Sequence, residues 1–253
     1  MKYKIQKYII SMVTKNQIKL ITSLQKKKQR QIEGLFFAEG VKVIQELLQS
    51  NFELEHLFTT QNDFDAIDIR KKTVISESNL KKISALATPN SSLAIFRTAK
   101  PKAIKQEGLI LVLDDIRDPG NLGTIIRLCD WFGIVEIVCS LSTVDVYNPK
   151  VVQATMGSIS RVNINYVDLE LFLNNTKLPA FGTFMEGKNI YKEELPLEGL
   201  IIMGNEANGI SKNIESKINR RLSIPRFGHL KQTESLNVAT ATAIVLSEFK
   251  RNN

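Results

Sequence analysis

Hydrophobic positions in the second half of the chain fall into short runs that are separated by longer polar segments. Residues 108–113 form a continuous apolar run, which is typical of a parallel strand that is buried on both faces. Five further runs have the length of strands: 135–139, 162–165, 179–183, 200–203 and 222–224. The segments between them have helical spacing, and a last helix is predicted over about 234–251. This alternation predicts an α/β domain with a parallel sheet.

The first hundred residues alternate in the same way, in shorter units. Apolar residues at helical spacing predict one helix over 14–31 and another that begins near Val41. Glu39 and Gly40 fit the start of that second helix, since a carboxylate favours a helix N-terminus. Short apolar runs predict strands at 54–60, 73–76 and 93–98. We expect a small three-layer α/β domain.

A lysine-containing segment around Pro101 separates the two patterns. We therefore predict a first domain over residues 12–98, a linker over 99–107 and a second domain over 108–253. Residues 1–11 are expected to form a disordered extension. Apolar stretches stay well short of the roughly 18 residues that a membrane span needs, so no membrane span is expected.

The net charge of +8 lies in the first hundred residues. Residues 1–100 contain 17 Lys and Arg against 9 Asp and Glu, whereas the rest of the chain contains 17 of each. A basic domain beside a charge-balanced one suits an enzyme that acts on nucleic acid, because phosphate contacts supply most non-specific affinity. Solubility is the competing explanation of this charge.

The cysteines Cys129 and Cys139 both lie in apolar surroundings. Their spacing matches no metal site, and a disulfide framework would need more cysteines. We expect both to be buried and reduced, consistent with a cytoplasmic protein.

Candidate chemistry lies in loops that follow the predicted strands. In an α/β sheet, ligands bind at the carboxyl ends of strands. The strand 108–113 leads into a Gly-containing turn and then a helix, which presents a helix N-terminus to an anion or polar ligand. We place Asn121 in that turn and Arg127 almost two turns into the helix, where Arg127 could form an intrahelical pair or reach a phosphate.

Three motifs follow one another in the second domain: Asp118-Pro119-Gly120-Asn121-Leu122-Gly123 with Arg127, then Met203 to Ser211, then Ile224-Pro225 with Glu234 to Ala239. Together they resemble the motifs of the SpoU/TrmH branch of the SPOUT superfamily, which transfers methyl groups from S-adenosylmethionine to ribose 2′-oxygens of RNA. The resemblance covers about residues 109–249. The first domain resembles the ribosomal-protein-like RNA-binding domain often attached to this branch, notably at residues 37–40.

The resemblance implies a parallel sheet whose C-terminal segment forms a trefoil knot, a homodimer, and S-adenosylmethionine as cofactor. It implies four cofactor contacts: Thr183, Gly204, Ile224 and Leu236. Glycine at 204 would let the backbone and the ligand approach closely. The implied catalytic and RNA-side residues are Asn121, Arg127, Glu206, Ser235 and Asn237. Arg127 would orient the target phosphate or ribose, because a guanidinium with a pKa of roughly 12.5 to 13.8 is a poor base.

Two residues of the last loop admit other roles. Ser235 would either contact the substrate or cap the last helix, because serine is favoured at that position. His229 lies in a segment, Arg226 to Glu234, that is longer and more basic than the commonest family version. It is either a general base or part of a basic loop that contacts RNA.

The predicted function is an S-adenosylmethionine-dependent RNA 2′-O-ribose methyltransferase, with ribosomal RNA as the preferred substrate and no metal. Two alternatives remain: a tRNA 2′-O-methyltransferase, and a non-catalytic RNA-binding or ribosome-assembly factor. A pure binder would need none of the residues Asn121, Arg127, Glu206 and Asn237 at their motif positions.

Overall fold

The structure is a computed structural model that describes residues 11–61, 63–228 and 235–251. The chain divides into two compact units. The first unit comprises residues 1–99 and 147–160, and the second comprises residues 100–146 and 161–253. The expected extension lies outside the described residues except for Ser11, which bridges to Ile75. His229 also lies outside them, together with most of its loop.

Helices and strands alternate along both units. The helices are α1 (Lys15–Ser23), α2 (Lys27–Glu33), α3 (Val41–Leu48), α4 (Glu77–Ile83), α5 (Pro119–Phe132), α6 (Pro149–Thr155), α7 (Leu169–Asn175), α8 (Lys212–Glu215) and α9 (Val238–Lys250). The strands are β1 (Leu35–Glu39), β2 (Leu54–Thr59), β3 (Lys72–Val74), β4 (Ser92–Arg97), β5 (Leu109–Leu113), β6 (Glu136–Ser140), β7 (Asn163–Val167), β8 (Ala180–Asn189), β9 (Gly199–Met203) and β10 (Arg220–Ser223).

The first unit has a four-stranded mixed sheet in the order β1-β4-β2-β3, in which only the β2/β3 pair is parallel. Residues 147–160, predicted to belong to the second domain, group with this unit. The physical reason is aromatic and apolar burial. The Tyr147 ring lies 4.7 Å from the ring of Phe36 in β1, and Val151 and Val152 of α6 are buried.

Residues 14–31 form two helices, so the prediction of a single helix is wrong. The capping box of Thr14 and Gln17 begins α1, which ends at Ser23, and the chain turns before α2. Arg30 is only 3% exposed, and its Nη1 donates to the carbonyl oxygens of Leu24 and Gln25 at 2.9 Å each. A side chain further along the sequence therefore closes the turn, and hydrophobic spacing carries no sign of it.

The second unit has a six-stranded sheet in the order β10-β8-β9-β5-β6-β7, and all neighbouring strands are parallel. The predicted parallel sheet is confirmed, with each of its six strands. Isoleucine, leucine and valine side chains of β5, β6 and β9 are buried, as the continuous apolar run predicted. The helix α5, which follows β5, packs against α9.

Cys129 and Cys139 are buried and unpaired, as predicted, and burial raises the pKa of both thiols. Over the residues that the structure describes, no helix has the length and apolar character to cross a bilayer.

Candidate active site

The carboxyl end of the second unit's sheet opens into a cleft of about 1210 Å³. Its walls are the middle of β8, the loop after β9, the loop after β10 and the start of α9. Ordinary small-molecule sites have volumes of roughly 300 to 1,000 Å³. The cleft therefore has room for a small molecule together with part of a second substrate.

The four residues predicted to contact the cofactor all line this cleft: Thr183, Gly204, Ile224 and Leu236. Thr183 Oγ1 donates to the carbonyl oxygen of Ile202 at 3.2 Å, so the sheet already uses its proton. Leu236 is 45% exposed, and Met185 and Phe227, which also line the cleft, are 47% and 80% exposed. The wall thus carries uncovered apolar surface.

Gly204 is required by its own loop. A Cβ on Gly204 would lie 2.3 Å from both the carbonyl carbon of Gly209 and the backbone nitrogen of Ile210. Asn205 and Gly209 exchange two backbone hydrogen bonds of 3.0 and 2.8 Å, which close the loop on Gly204. We expected the close approach of a ligand to require a glycine at this position. In the structure, the backbone of Gly209 and Ile210 makes the close approach instead.

Asn205, which the sequence analysis did not single out, ties this loop to the end of β5. Its Oδ1 accepts from the backbone N–H groups of Ala207 and Asn208, and its Nδ2 donates to the carbonyl oxygen of Asp115 at 2.8 Å. Asp115 has a φ of 60°, an unfavourable value for a residue other than glycine. The tendency of asparagine to bond the backbone two residues on could have identified Asn205.

Asn121 lies within the first turn of α5, not in the preceding turn as predicted. Asp118 caps the helix by accepting from the backbone N–H of Asn121 at 2.7 Å, and Pro119 occupies the first helical position. The cap fixes the start of the helix and thereby the direction in which the Asn121 side chain leaves it.

Three residues from the three motifs form a hydrogen-bonded line that we call the amide chain: Asn237, Asn121 and Glu206. Asn237 Oδ1 accepts from the backbone N–H groups of Ala239 and Thr240, so its Nδ2 is the donor to Asn121 Oδ1, at 2.8 Å. Asn121 Nδ2 then donates to Glu206 Oε1 at 2.5 Å. Each amide orientation follows from the previous bond. The half-buried Glu206 lines the cleft, so the amide chain ends at the cleft wall.

Asn237, not Ser235, caps α9. Ser235 is exposed and lines the cleft, and its contact with a substrate stays a prediction. Arg127 is exposed on α5, and no ion pair or hydrogen bond joins it to any residue that the structure describes. The predicted residues are therefore brought together in part: Glu206 and Ser235 line the cleft, whereas Asn121 and Asn237 reach it through Glu206.

Two family models match the chain. Residues 108–247 match the SpoU rRNA Methylase family, and residues 15–94 match the MRM3-like substrate binding domain. The first match covers the sheet, the cleft and the amide chain.

Similar proteins extend over nearly the whole chain. The Bacillus subtilis 23S rRNA (guanosine(2553)-2′-O)-methyltransferase RlmP is 28% identical, over 93% of this chain and 97% of its own. A solved putative RNA methyltransferase of the TrmH family from Porphyromonas gingivalis is 36% identical with a TM-score of 0.87, covering 96% of this chain and 100% of its own. The AdoMet-bound rRNA methyltransferase from Sinorhizobium meliloti is 28% identical with a TM-score of 0.85, covering 97% of this chain and 98% of its own. With its parallel sheet, its cleft and its three motifs, the chain belongs to the SpoU rRNA methylase family.

Proposed function

We propose that this protein is an S-adenosylmethionine-dependent methyltransferase that methylates a ribose 2′-hydroxyl of ribosomal RNA. The observation that carries the proposal is the amide chain. It links residues separated by 116 and 85 positions and ends on Glu206 at the wall of the cleft. A fixed polar line beside an apolar cleft suits a reacting centre, whose groups have to be held in place before the substrate arrives.

The cleft fits S-adenosylmethionine. Its exposed apolar side chains, among them Leu236, suit the faces of an adenine ring, and the loops after β9 and β10 supply backbone polar groups for the ring edge. Gly204, Ile224 and Leu236 would hold the adenosine portion, with Thr183 beside them. When bound, the cofactor supplies a methyl group that its sulfonium sulfur already activates.

Because the methyl group is already activated, the residues of this chain have to position a ribose hydroxyl and assist its loss of a proton. Arg127 presents a guanidinium that no described residue engages, and a guanidinium binds phosphate through a planar fork of N–H donors. We assign Arg127 to holding a target phosphate or ribose and to offsetting negative charge.

Glu206 has one carboxylate oxygen held by the Asn121 amide before RNA arrives. Preorganised polar groups stabilise a reacting centre without reorganising during the reaction. Asn121 and Asn237 act through Glu206 as positioning residues. Ser235, exposed at the cleft, supplies a hydroxyl for the substrate.

Ribosomal RNA is the proposed substrate because the first unit matches a substrate-binding domain and because the similar Bacillus subtilis enzyme, named for 23S rRNA, aligns over both units. We also propose a cytoplasmic homodimer. Trp131 on α5 is 84% exposed, one turn beyond Arg127, and a second copy would cover it.

The test is transfer of labelled methyl from S-adenosylmethionine to RNA that lacks this modification, followed by nucleoside analysis. We expect a 2′-O-methyl nucleoside in large-subunit ribosomal RNA. A label on a base, or a label confined to transfer RNA, would overturn the proposed reaction or the proposed substrate respectively. Cofactor binding without transfer to free RNA or to assembling ribosomal particles would favour the assembly-factor alternative.

A further inference from the structure

Cations of the first unit differ in whether the protein itself pairs them. Around β2 and β4 the cations are paired: Arg97 with Glu53 and Glu55 at 3.4 and 2.7 Å, and Arg70 with Asp68 at 2.6 Å. Lys71 donates to the carbonyl oxygen of Leu54 at 2.8 Å. The two arginines of this region are therefore paired with carboxylates of the protein itself, and Lys71 is held by a backbone carbonyl.

Five exposed lysines on α1, the following turn and the start of α2 differ from those cations. We call this set the lysine surface: Lys15, Lys19, Lys26, Lys27 and Lys28. Their ammonium groups form no ion pair or hydrogen bond with any residue the structure describes. The sequence has no acidic residue before Glu33, and residues 1–10 add three more lysines.

The arrangement of these lysines is electrostatically unfavourable for the folded chain alone. Lys26 is the N-cap of α2, and Lys27 and Lys28 begin the helix, with no acidic residue in the first turn. A helix N-terminus carries partial positive charge, so cations there raise the free energy. Lys15 and Lys19 are one turn apart on α1, and like charges at that spacing are also destabilising.

The lysines of α4 show the opposite arrangement. Lys81 and Lys82 lie in the last turn of that helix, where cations are favoured by the helix dipole. Local stability therefore accounts for the lysines of α4 but not for those at the start of α2. Residues that break a local rule without a local gain point to a function.

The lysine surface is also held rigidly. Ile21 of α1 and Leu24, the residue that follows the helix, are fully buried, which fixes the opposite face of α1 toward solvent. The buried Arg30 bonds the carbonyl oxygens of Leu24 and Gln25 and thereby fixes the turn that carries Lys26. Since a helix rises about 1.5 Å per residue, the nine residues of α1 extend about 13 Å, a length that spans several backbone phosphates.

We propose that the lysine surface is where the first unit docks the phosphate backbone of the RNA substrate, while the paired cations around β2 and β4 stay outside the contact. This inference rests on the proposed function, because it names the surface through which that substrate is held. Phosphate groups would supply the negative charge that no described residue of the protein provides for these lysines.

The test compares two double variants that lose the same net charge: Lys27→Gln with Lys28→Gln, and Arg70→Gln with Arg97→Gln. The probe is a labelled, unmodified RNA hairpin, since phosphate contacts are independent of sequence. Its affinity is measured from about 50 to 200 mM salt. The lysine variant is expected to reduce the salt slope by about two and the arginine variant by close to zero.

Thermal melting gives a second readout. Removing cations from the start of α2 should leave the melting temperature unchanged or raise it, while RNA affinity falls. Equal slopes for both variants would overturn the proposal in favour of a net-charge effect. A fall in melting temperature together with affinity would also overturn it, because the lysines would then act by maintaining the fold.

Failure of this inference is distinguishable from failure of the proposed function. Methyl transfer by the unaltered protein tests the function alone. A protein that methylates RNA but keeps its salt slope in the lysine variant has another docking surface. A protein with the expected slopes and no methyl transfer retains the docking surface and loses the proposed reaction.

Discussion

The amide chain of the second unit and the lysine surface of the first unit differ in whether their polar side chains have partners within the protein. In the amide chain each amide is oriented by a hydrogen bond to its neighbour, and the line ends on Glu206. On the lysine surface five cations have no partner among the described residues. A reacting centre needs atoms fixed before the substrate arrives, whereas docking needs charge that is available to phosphates.

The largest expected effect is that of removing Arg127, which has no partner among the described residues, like the lysines, but which we assign to the reacting centre. Arg127→Ala should lower turnover by about a hundredfold or more, the loss typical of removing a charge-stabilising donor, and should leave cofactor affinity unchanged. Steady-state kinetics measure the turnover, and titration calorimetry measures the affinity for the cofactor. Thr124→Ala, at an exposed position one turn earlier on α5, is the matched control. Unchanged turnover would remove Arg127 from the mechanism.

Gly204→Ala tests how far the cofactor loop tolerates a change. The added Cβ meets backbone atoms at 2.3 Å, so the loop has to shift. We expect a loss of about 2 kcal/mol in the free energy of unfolding of the second unit, and weaker cofactor binding. Gly228→Ala, also in the cleft wall, is the control because its Cβ would meet no atom of the described residues within 4 Å. Equal effects of both changes would contradict this explanation.

Asn121→Asp replaces a donor in the amide chain by a carboxylate facing Glu206. Two neighbouring carboxylates cannot easily both ionise, so one pKa of the pair rises. We expect turnover about tenfold lower at pH 8, with partial recovery as the pH falls, because the protonated acid again donates a hydrogen bond. Asn121→Ala should lose turnover without that recovery. A flat pH profile for Asn121→Asp would disprove the role of this hydrogen bond.

The smallest effect concerns a buried carboxylate outside both regions. Glu39 accepts from Ser84 Oγ and from the N–H of Ala85, and desolvation raises its pKa. The folded protein therefore binds this proton more tightly than the unfolded chain, and stability decreases as the pH rises through the pKa of Glu39. Glu39→Gln should flatten that dependence, by about 1 kcal/mol or less, in melts between pH 4 and 8. The control Glu33→Gln, at an exposed position, should leave the pH dependence of stability unchanged.

Hydrophobic spacing predicted the second unit's sheet because its strands are buried runs between polar helices, as in 109–113 and 199–203. It failed where a single side chain decides the local path. Arg30 splits the predicted first helix by bonding two earlier carbonyl groups. Glu39, expected to favour a helix start, instead fixes the loop after α4.

For the site, the motifs identified residues that hydrogen bonds connect in the structure, but they did not predict which residue bonds to which. Asn237 accepts from N–H groups two and three residues later, which caps α9, and it also donates to Asn121, 116 residues earlier. The sequence could not predict the second bond, because local patterns carry no information about contacts between distant segments. The roles of the site residues remain predictions for the experiments above, and so does the knot that the resemblance implies.

The directionality of the amide chain has an evolutionary consequence. Because the Asn237 amide sets the Asn121 amide, and the Asn121 amide donates to the Glu206 carboxylate, a change at one position leaves its neighbour without its hydrogen-bond partner or, as with Asn121→Asp, facing a group of the same kind. These positions should therefore diverge as a group. A combinatorial library over the three should yield active sequences in coordinated sets, with few active single replacements.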